Sequence, residues 1–208
     1  MQTKGEDFLK KSTRILRIGI IPATLFCLLL IIQPLSLTML SLLAAAIHEC
    51  GHLFVAYILK IPLRSLSIST MGATIRIRGS LISYKKEWLL CAAGPFANFL
   101  CAAITYLILM KSENESEEGW WFFAVSVMLG ALNLILAEGF DGGRMLYTSV
   151  ASIFGVDAAE RTIQATSFIS IVLLWMISVF LLIRYKTSLT LFVFTLSLFY
   201  RLFLSSHN

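Results

Sequence analysis

Charged side chains are scarce in this sequence. Lysine, arginine, aspartate and glutamate make up 14% of its 208 residues, whereas 58% of the residues are hydrophobic and the mean hydropathy is +0.82. A soluble domain of this size cannot bury so much apolar surface, but lipid covers such a surface when a chain crosses a bilayer several times. The composition therefore excludes an ordinary soluble domain and indicates a multi-pass integral membrane protein.

Basic residues do not cluster in the way that nucleic-acid binding requires. The net charge is +5, but no basic run interleaved with aromatic residues lies outside the apolar segments. The lysines and arginines lie mainly in short connecting segments, where they favour contact with anionic lipid. We therefore expect a lipid bilayer and no nucleic acid among the partners of this protein.

Cysteine is rare as well, and its spacing does not predict a metal site. The four residues are Cys27, Cys50, Cys91 and Cys101; all lie in apolar segments, and none belongs to a C-x-x-C pair. We expect them to be small buried hydrophobic residues. Cys50 lies between two histidines, but on a helix it would point away from the face that the histidines share.

Apolar runs of roughly 20 residues, the length that crosses a bilayer, occur six times. They cover about 14–32, 36–59, 87–110, 119–136, 162–183 and 188–204. A basic stretch precedes the first run, as in a signal peptide, but no clear cleavage site follows, so we expect a retained helix. The sequence thus predicts an all-α polytopic membrane protein with about six transmembrane helices in a single domain, residues 1–208.

The charges of the connecting segments predict the orientation. Basic residues precede the first run and lie between runs two and three and between runs four and five, whereas the segment 111–118 is acidic. The positive-inside rule then places both termini in the cytosol and the acidic segment outside. Arg184 and Lys186 fall on the outer side in this arrangement and count against it.

The segment between runs two and three has a different pattern. Apolar residues alternate with serines before Met71-Gly72 and with arginines after it. A period of two around a glycine predicts a short β-hairpin, interfacial or re-entrant, because bare strand edges cannot face lipid. The hairpin is either a simple connector or an edge, around Met71 and Gly72, with which an extended substrate pairs.

Histidine is scarce too, and two of the three histidines lie in His48-Glu49-Cys50-Gly51-His52. Residues four apart share a helix face, so His48 and His52 can bind one zinc ion. Glu49 is suited to take a proton from metal-bound water. Because ionisable groups at membrane depth are costly and usually functional, the motif predicts zinc-dependent hydrolysis inside a membrane.

A catalytic zinc ion has three protein ligands and a water, so a third ligand is needed. His207 is in the tail, which favours a carboxylate. Asp141 is preferred because the glycines around it permit a backbone that turns it inward, although Asp-Gly is also common in plain turns. The candidates are Glu87, Glu138, Asp141, Asp157 and Glu160.

Three motifs in order resemble those of the site-2 protease family of intramembrane zinc metalloproteases. They are His48-Glu49-x-x-His52, Gly94-Pro95-x-x-Asn98, and Asn133 followed by Asp141-Gly142. The resemblance implies a catalytic core over about 36–144, with helices five and six at 162–204.

The resemblance also implies roles for these residues. One Zn²⁺ would be held by His48, His52 and Asp141, with Glu49 as catalytic base. Asn98 and Asn133 would line the cleft and bind the substrate backbone or the oxyanion; the alternative is that they join helices by hydrogen bonds. Glu138 is an added carboxylate that could compete as a ligand, pair with Arg144 or simply reach the interface.

The resemblance further implies regulated cleavage of a membrane-spanning or membrane-associated protein in a bacterial cell membrane. The sporulation-type branch, which processes a pro-sigma factor, is the most similar, and the resemblance is compatible with an inhibitory or regulatory membrane partner. One feature departs from the family pattern: Leu136 and Gly139 stand where prolines are usual. The competing interpretations are a zinc or other ion transporter and a catalytically inactive scaffold.

Overall fold

The computed structural model describes residues 34–61, 63–69, 72–77, 82–112 and 116–185, and for 63–69 and 72–77 it describes the backbone alone. The chain divides into two compact units, Met1–Leu132 and Asn133–Asn208. In chain order the elements are α1 (Leu35–Ile58), β1 (Leu63–Ser69), β2 (Gly72–Ile77), α2 (Tyr84–Lys111), α3 (Glu117–Asn133), α4 (Asp141–Phe154) and α5 (Val156–Tyr185).

Three of these helices are long and apolar enough to cross a membrane: Leu35–Ile58, Tyr84–Lys111 and Val156–Arg184. In the most apolar part of each, only 17–28% of the residues are buried within the protein. Large hydrophobic side chains such as Phe54 on α1, Phe96 on α2 and Phe180 on α5 are exposed. Lipid is the environment in which such surfaces are stable, so the described chain is that of an integral membrane protein.

The predicted count of six spans is not tested, because the first and sixth apolar runs lie outside the described residues. The fourth run differs from the prediction. Helix α3 has 17 residues and ends at Asn133, so it is shorter than the roughly 20 residues that span a bilayer. The chain then leaves the helical conformation until α4 begins at Asp141.

Two short strands lie between α1 and α2. β1 and β2 pair in an antiparallel manner, with Ser69 opposite Gly72 and Leu63 opposite Ile77, and the register shifts between Leu63 and Ser65. The connection between the strands, which includes Met71, lies outside the described residues. The interfacial or re-entrant position of this pair remains a prediction.

Small residues bring α1 and α2 close together. A Cβ atom added to Gly51 would lie 2.6 Å from the carbonyl oxygen of Ala93 and 2.9 Å from the Cβ of Ala97. Ala44 and Ala102 are buried on the same two helices. In lipid no hydrophobic effect drives helices together, so close backbone packing of small residues is what holds such a pair.

Helix α3 is tied to α1 by an indole group. Trp121 Nε1 donates hydrogen bonds to the Leu37 carbonyl at 3.2 Å and to the Ser41 hydroxyl at 3.1 Å. The Ser41 hydroxyl itself donates to the Leu37 carbonyl at 2.9 Å. Polar groups that would otherwise face hydrocarbon thus satisfy one another across the first unit.

The second unit begins with a break in the helical backbone, Leu134–Phe140, which contains no proline. Ser167 on α5 accepts a hydrogen bond at 2.7 Å from the backbone N–H of Glu138, and Gly139 has a φ of 94°, a left-handed conformation that favours glycine. The prolines usual in the family are therefore not needed for a break here. A side-chain contact and one glycine replace them.

Two glycines at the start of α4 let that helix lie against the break. A Cβ atom on Gly142 would collide with the Leu134 carbonyl oxygen, and one on Gly143 with the Ala137 carbonyl oxygen. Both glycines are buried. The Asp141-Gly142-Gly143 sequence thus serves close backbone packing that no residue with a side chain allows.

Candidate metal centre

His48 and His52 lie one turn apart on α1 and are buried, with 5% and 8% of their surfaces exposed. Their Nε2 atoms are 3.2 Å apart, and the rings meet edge to face with centroids 4.8 Å apart. Two Zn–N bonds at a tetrahedral angle place their nitrogens about 3.3 Å apart. The pair therefore has the spacing that a shared zinc ion requires.

A backbone carbonyl of α2 determines which ring nitrogen of His52 carries the proton. Its Nδ1 lies 2.7 Å from the carbonyl oxygen of Leu90. Because a carbonyl can only accept, Nδ1 carries the proton, and in the neutral ring the lone pair is then on Nε2. A histidine that binds a metal through one nitrogen commonly donates the other N–H to a backbone carbonyl in this way.

His48 contacts the side chain of Asn98 on α2. Its Nδ1 lies 3.3 Å from Nδ2 of Asn98, and Asn98 is completely buried. The predicted substrate-binding or oxyanion role of Asn98 remains a prediction, whereas its contact with His48 is a feature of the structure.

Glu49 follows His48 on α1 and is half-buried. One of its carboxylate oxygens is shielded from solvent. A carboxylate next to the histidine pair is in the sequence position that a general base of such a site occupies. Cys50, in contrast, is exposed, in keeping with the prediction that it points away from the histidine face. The expectation that the cysteines are buried is wrong for Cys50 and for the half-buried Cys101, which lie on lipid-facing helices, and is confirmed for Cys91.

Asp141 is the first residue of α4 and is half-buried. His48 and His52 belong to the first unit and Asp141 to the second, and Asp141 as the third ligand remains a prediction. Two imidazole nitrogens and one carboxylate form a donor set typical of catalytic zinc sites. The residues present therefore fit the ion that the sequence predicts.

The remaining predicted residues are distributed as follows. Asn133 ends α3 and is half-buried, Gly72 begins β2, and Met71 lies outside the described residues. Of the alternative carboxylates, Glu138, Asp157 and Glu160 are exposed and Glu87 is half-buried. None of these four joins a metal-binding group in the described residues.

Sequence reasoning missed the way in which Gly94 serves the histidines. A Cβ atom on Gly94 would lie 2.7 Å from His48 Nε2 and would collide with His52 Nε2. In the sequence, Gly94 stands out only as a member of the Gly94-Pro95-x-x-Asn98 motif. The signal was available in the four-residue spacing of Leu90, Gly94 and Asn98, which places all three on one face of α2.

We expect Gly94→Ala to displace the imidazoles and to weaken zinc binding, because the new methyl group occupies the space beside both Nε2 atoms. The measurement is the zinc affinity of the purified variant in detergent. Gly119→Ala is the matched control, since its Cβ meets chiefly the end of the flexible Leu109 side chain, at 2.7 Å. Equal zinc affinity of the Gly94 and Gly119 variants would contradict the proposed role of Gly94.

Comparisons with known proteins show which proteins this chain is similar to. Residues 36–118 match the sequence model of Peptidase family M50. The protein named "Putative zinc metalloprotease Rip3" from two strains of Mycobacterium tuberculosis is 29% identical over 112 residues, which are 51% of this chain and 28% of that protein. The chain thus spans little more than a quarter of the length of this relative.

A solved structure shares the fold. The Site-2 Protease from Methanocaldococcus jannaschii matches with a TM-score of 0.59 and 18% identity, over 86% of this chain and 82% of that one. The family match, the relative and the structural match together confirm the resemblance to the site-2 protease family. The similarity to the sporulation-type branch remains a prediction.

Proposed function

We propose that this protein is a zinc metalloprotease that hydrolyses a peptide bond in or near the membrane segment of another protein. The observation that carries the proposal is the buried pair of His48 and His52, whose Nε2 atoms are 3.2 Å apart and in which the Leu90 carbonyl orients His52. Asp141 is proposed as the third ligand. The match to Peptidase family M50 supports the same reaction class. An apolar surface on three long helices supports a membrane-embedded substrate.

The proposed reaction uses the residues as follows. When bound, the zinc ion polarises the scissile carbonyl and lowers the pKa of a bound water. Glu49 would accept a proton from the attacking water as the water oxygen bonds to the carbonyl carbon. Glu49 would then give that proton to the amide nitrogen, and the C–N bond would break to release the amine. His48, His52 and Asp141 hold the metal site in place.

A transmembrane substrate must expose its backbone before attack, because helical hydrogen bonds occupy its carbonyl groups. We propose that the strands β1 and β2 offer an edge that an unwound segment can join, and that Asn133 contacts the bound backbone. A membrane-associated pro-sigma factor is one substrate of this type. A regulatory membrane partner would act by covering the same edge.

The test is cleavage of a single-span membrane protein by the purified enzyme in liposomes. We expect product with the native protein, loss of product after a zinc chelator, and recovery when zinc is restored. Zinc flux into the same liposomes is measured in parallel. Flux without cleavage would contradict the protease proposal and support a transporter; zinc binding with neither activity would support a scaffold.

A further inference from the structure

Helix α2 contacts both histidines on the nitrogen that faces away from the shared site. The Leu90 carbonyl lies 2.7 Å from Nδ1 of His52, and the Asn98 amide lies 3.3 Å from Nδ1 of His48. Leu90 and Asn98 are two helical turns apart on the face of α2 that also carries Gly94. The same helix face therefore meets the Nδ1 atom of both rings.

The two contacts differ in the direction of the hydrogen bond. With Nδ2 of Asn98 toward His48, the amide donates and the ring proton of neutral His48 would be on Nε2. That proton would block the lone pair needed for a metal. It would also leave the buried Oδ1 of Asn98 with no hydrogen-bond partner among the described residues.

A half-turn of the amide about its Cβ–Cγ bond brings Oδ1 to His48 and frees the Nε2 lone pair. The oxygen and nitrogen exchange places, since the two groups are nearly equal in size. Oδ1 then accepts a proton from Nδ1 of His48, and the Nε2 lone pair faces the site, as in His52. The turned amide gives the buried oxygen the hydrogen-bond partner that it otherwise lacks.

We propose that Asn98 is a positioning residue that accepts the Nδ1 proton of His48 and so directs the Nε2 lone pair toward the metal. Leu90 does the same for His52 with a backbone carbonyl. The role is distinct from contact with substrate, because the Asn98 side chain has no exposed surface. The inference rests on the proposed function only in that the site binds zinc.

The decisive experiment compares zinc affinities, measured by competition with a chromophoric chelator in detergent. Asn98→Leu keeps the size of the side chain and removes the acceptor, and we expect about a 10- to 100-fold loss of affinity, as for other lost partners of ligating histidines. Asn98→Asp keeps an acceptor and has no donor. We therefore expect its zinc affinity to stay above about one-tenth of the native value.

Ser126→Ala is the control, since Ser126 is completely buried in the same unit and its hydroxyl has no hydrogen-bond partner among the described residues. Thermal unfolding of each metal-free variant checks that it folds. If Asn98→Leu does not fold, the Asp variant decides. A zinc affinity of Asn98→Asp near the native value supports the acceptor role. A loss of more than about tenfold in that variant, with the unfolding temperature of the native protein, overturns it.

The outcomes separate this inference from the proposed function. A native protein that binds no zinc contradicts the proposed function itself. A native protein that binds zinc, together with Asn98→Leu of equal affinity, overturns the positioning role alone. If that variant binds zinc normally but cleaves slowly, the oxyanion or substrate role of Asn98 is supported instead.

Discussion

Glu49→Gln is expected to abolish cleavage while zinc binding is retained. Glutamine keeps the shape of the side chain but cannot accept the proton of the attacking water. Loss of a general base lowers the rate by about 10²- to 10⁴-fold. The measurement is the initial rate of substrate cleavage in liposomes, together with the zinc content of the same preparation.

Cys50→Ala is the control for this substitution. Cys50 is the next residue on α1 and is exposed, so its loss should change neither rate nor zinc content. The assignment of Glu49 fails if Glu49→Gln cleaves at more than about one-tenth of the native rate. Loss of zinc from that variant would instead place Glu49 among the ligands.

Asp141→Ala is expected to remove zinc from the protein and, with it, all cleavage. Zinc affinity should fall by more than about 100-fold. Removing a hydrogen-bond partner of a metal ligand lowers metal affinity by up to about 100-fold, and removing the ligand itself should lower it further. Zinc affinity and cleavage rate are both measured. The result follows from the donor set, because two imidazoles alone leave a catalytic zinc site incomplete.

Asp157→Ala provides a matched control for Asp141. Both aspartates lie in the first turn of a helix in the second unit, α4 and α5, so both lose the same favourable interaction with a helix N-terminus. Asp157 is exposed and was one of the alternative ligands. If the Asp157 variant loses zinc and the Asp141 variant keeps it, the third ligand is wrongly assigned.

The apolar runs predicted the positions of α1, α2 and α5 because a lipid-facing helix must be apolar over its whole membrane depth. The start of α5 was placed too late, at residue 162 and not at Val156. Its first turns carry Asp157, Glu160 and Arg161, which hydropathy assigns to a loop. Polar residues at a helix end are nevertheless compatible with a helix that leaves the membrane.

The region from Asn133 to α4 could not be predicted from local sequence. Without prolines, nothing between Leu134 and Ala137 signals the end of a helix. The hydrogen bond from Glu138 to Ser167 joins residues 29 positions apart, and such a partner is visible only in the fold. Asp141 was chosen from chemistry, whereas the close packing of Gly142 and Gly143 was not foreseen.

The histidine motif was predictable because its spacing alone places His48 and His52 on one helix face. Its support by α2 was not, since Leu90 acts through a backbone carbonyl that any residue carries. Only the positions of Gly94 and Asn98, each one turn further along α2, indicate a face turned toward the histidines.

X-ray absorption of zinc bound to purified Glu49→Gln protein tests the central claim most directly. We predict one zinc ion per chain, bound by two imidazole nitrogens and oxygen ligands at about 2.0–2.2 Å. A sulfur ligand at about 2.3 Å would contradict the His48, His52 and Asp141 site. So would a spectrum with no imidazole contribution.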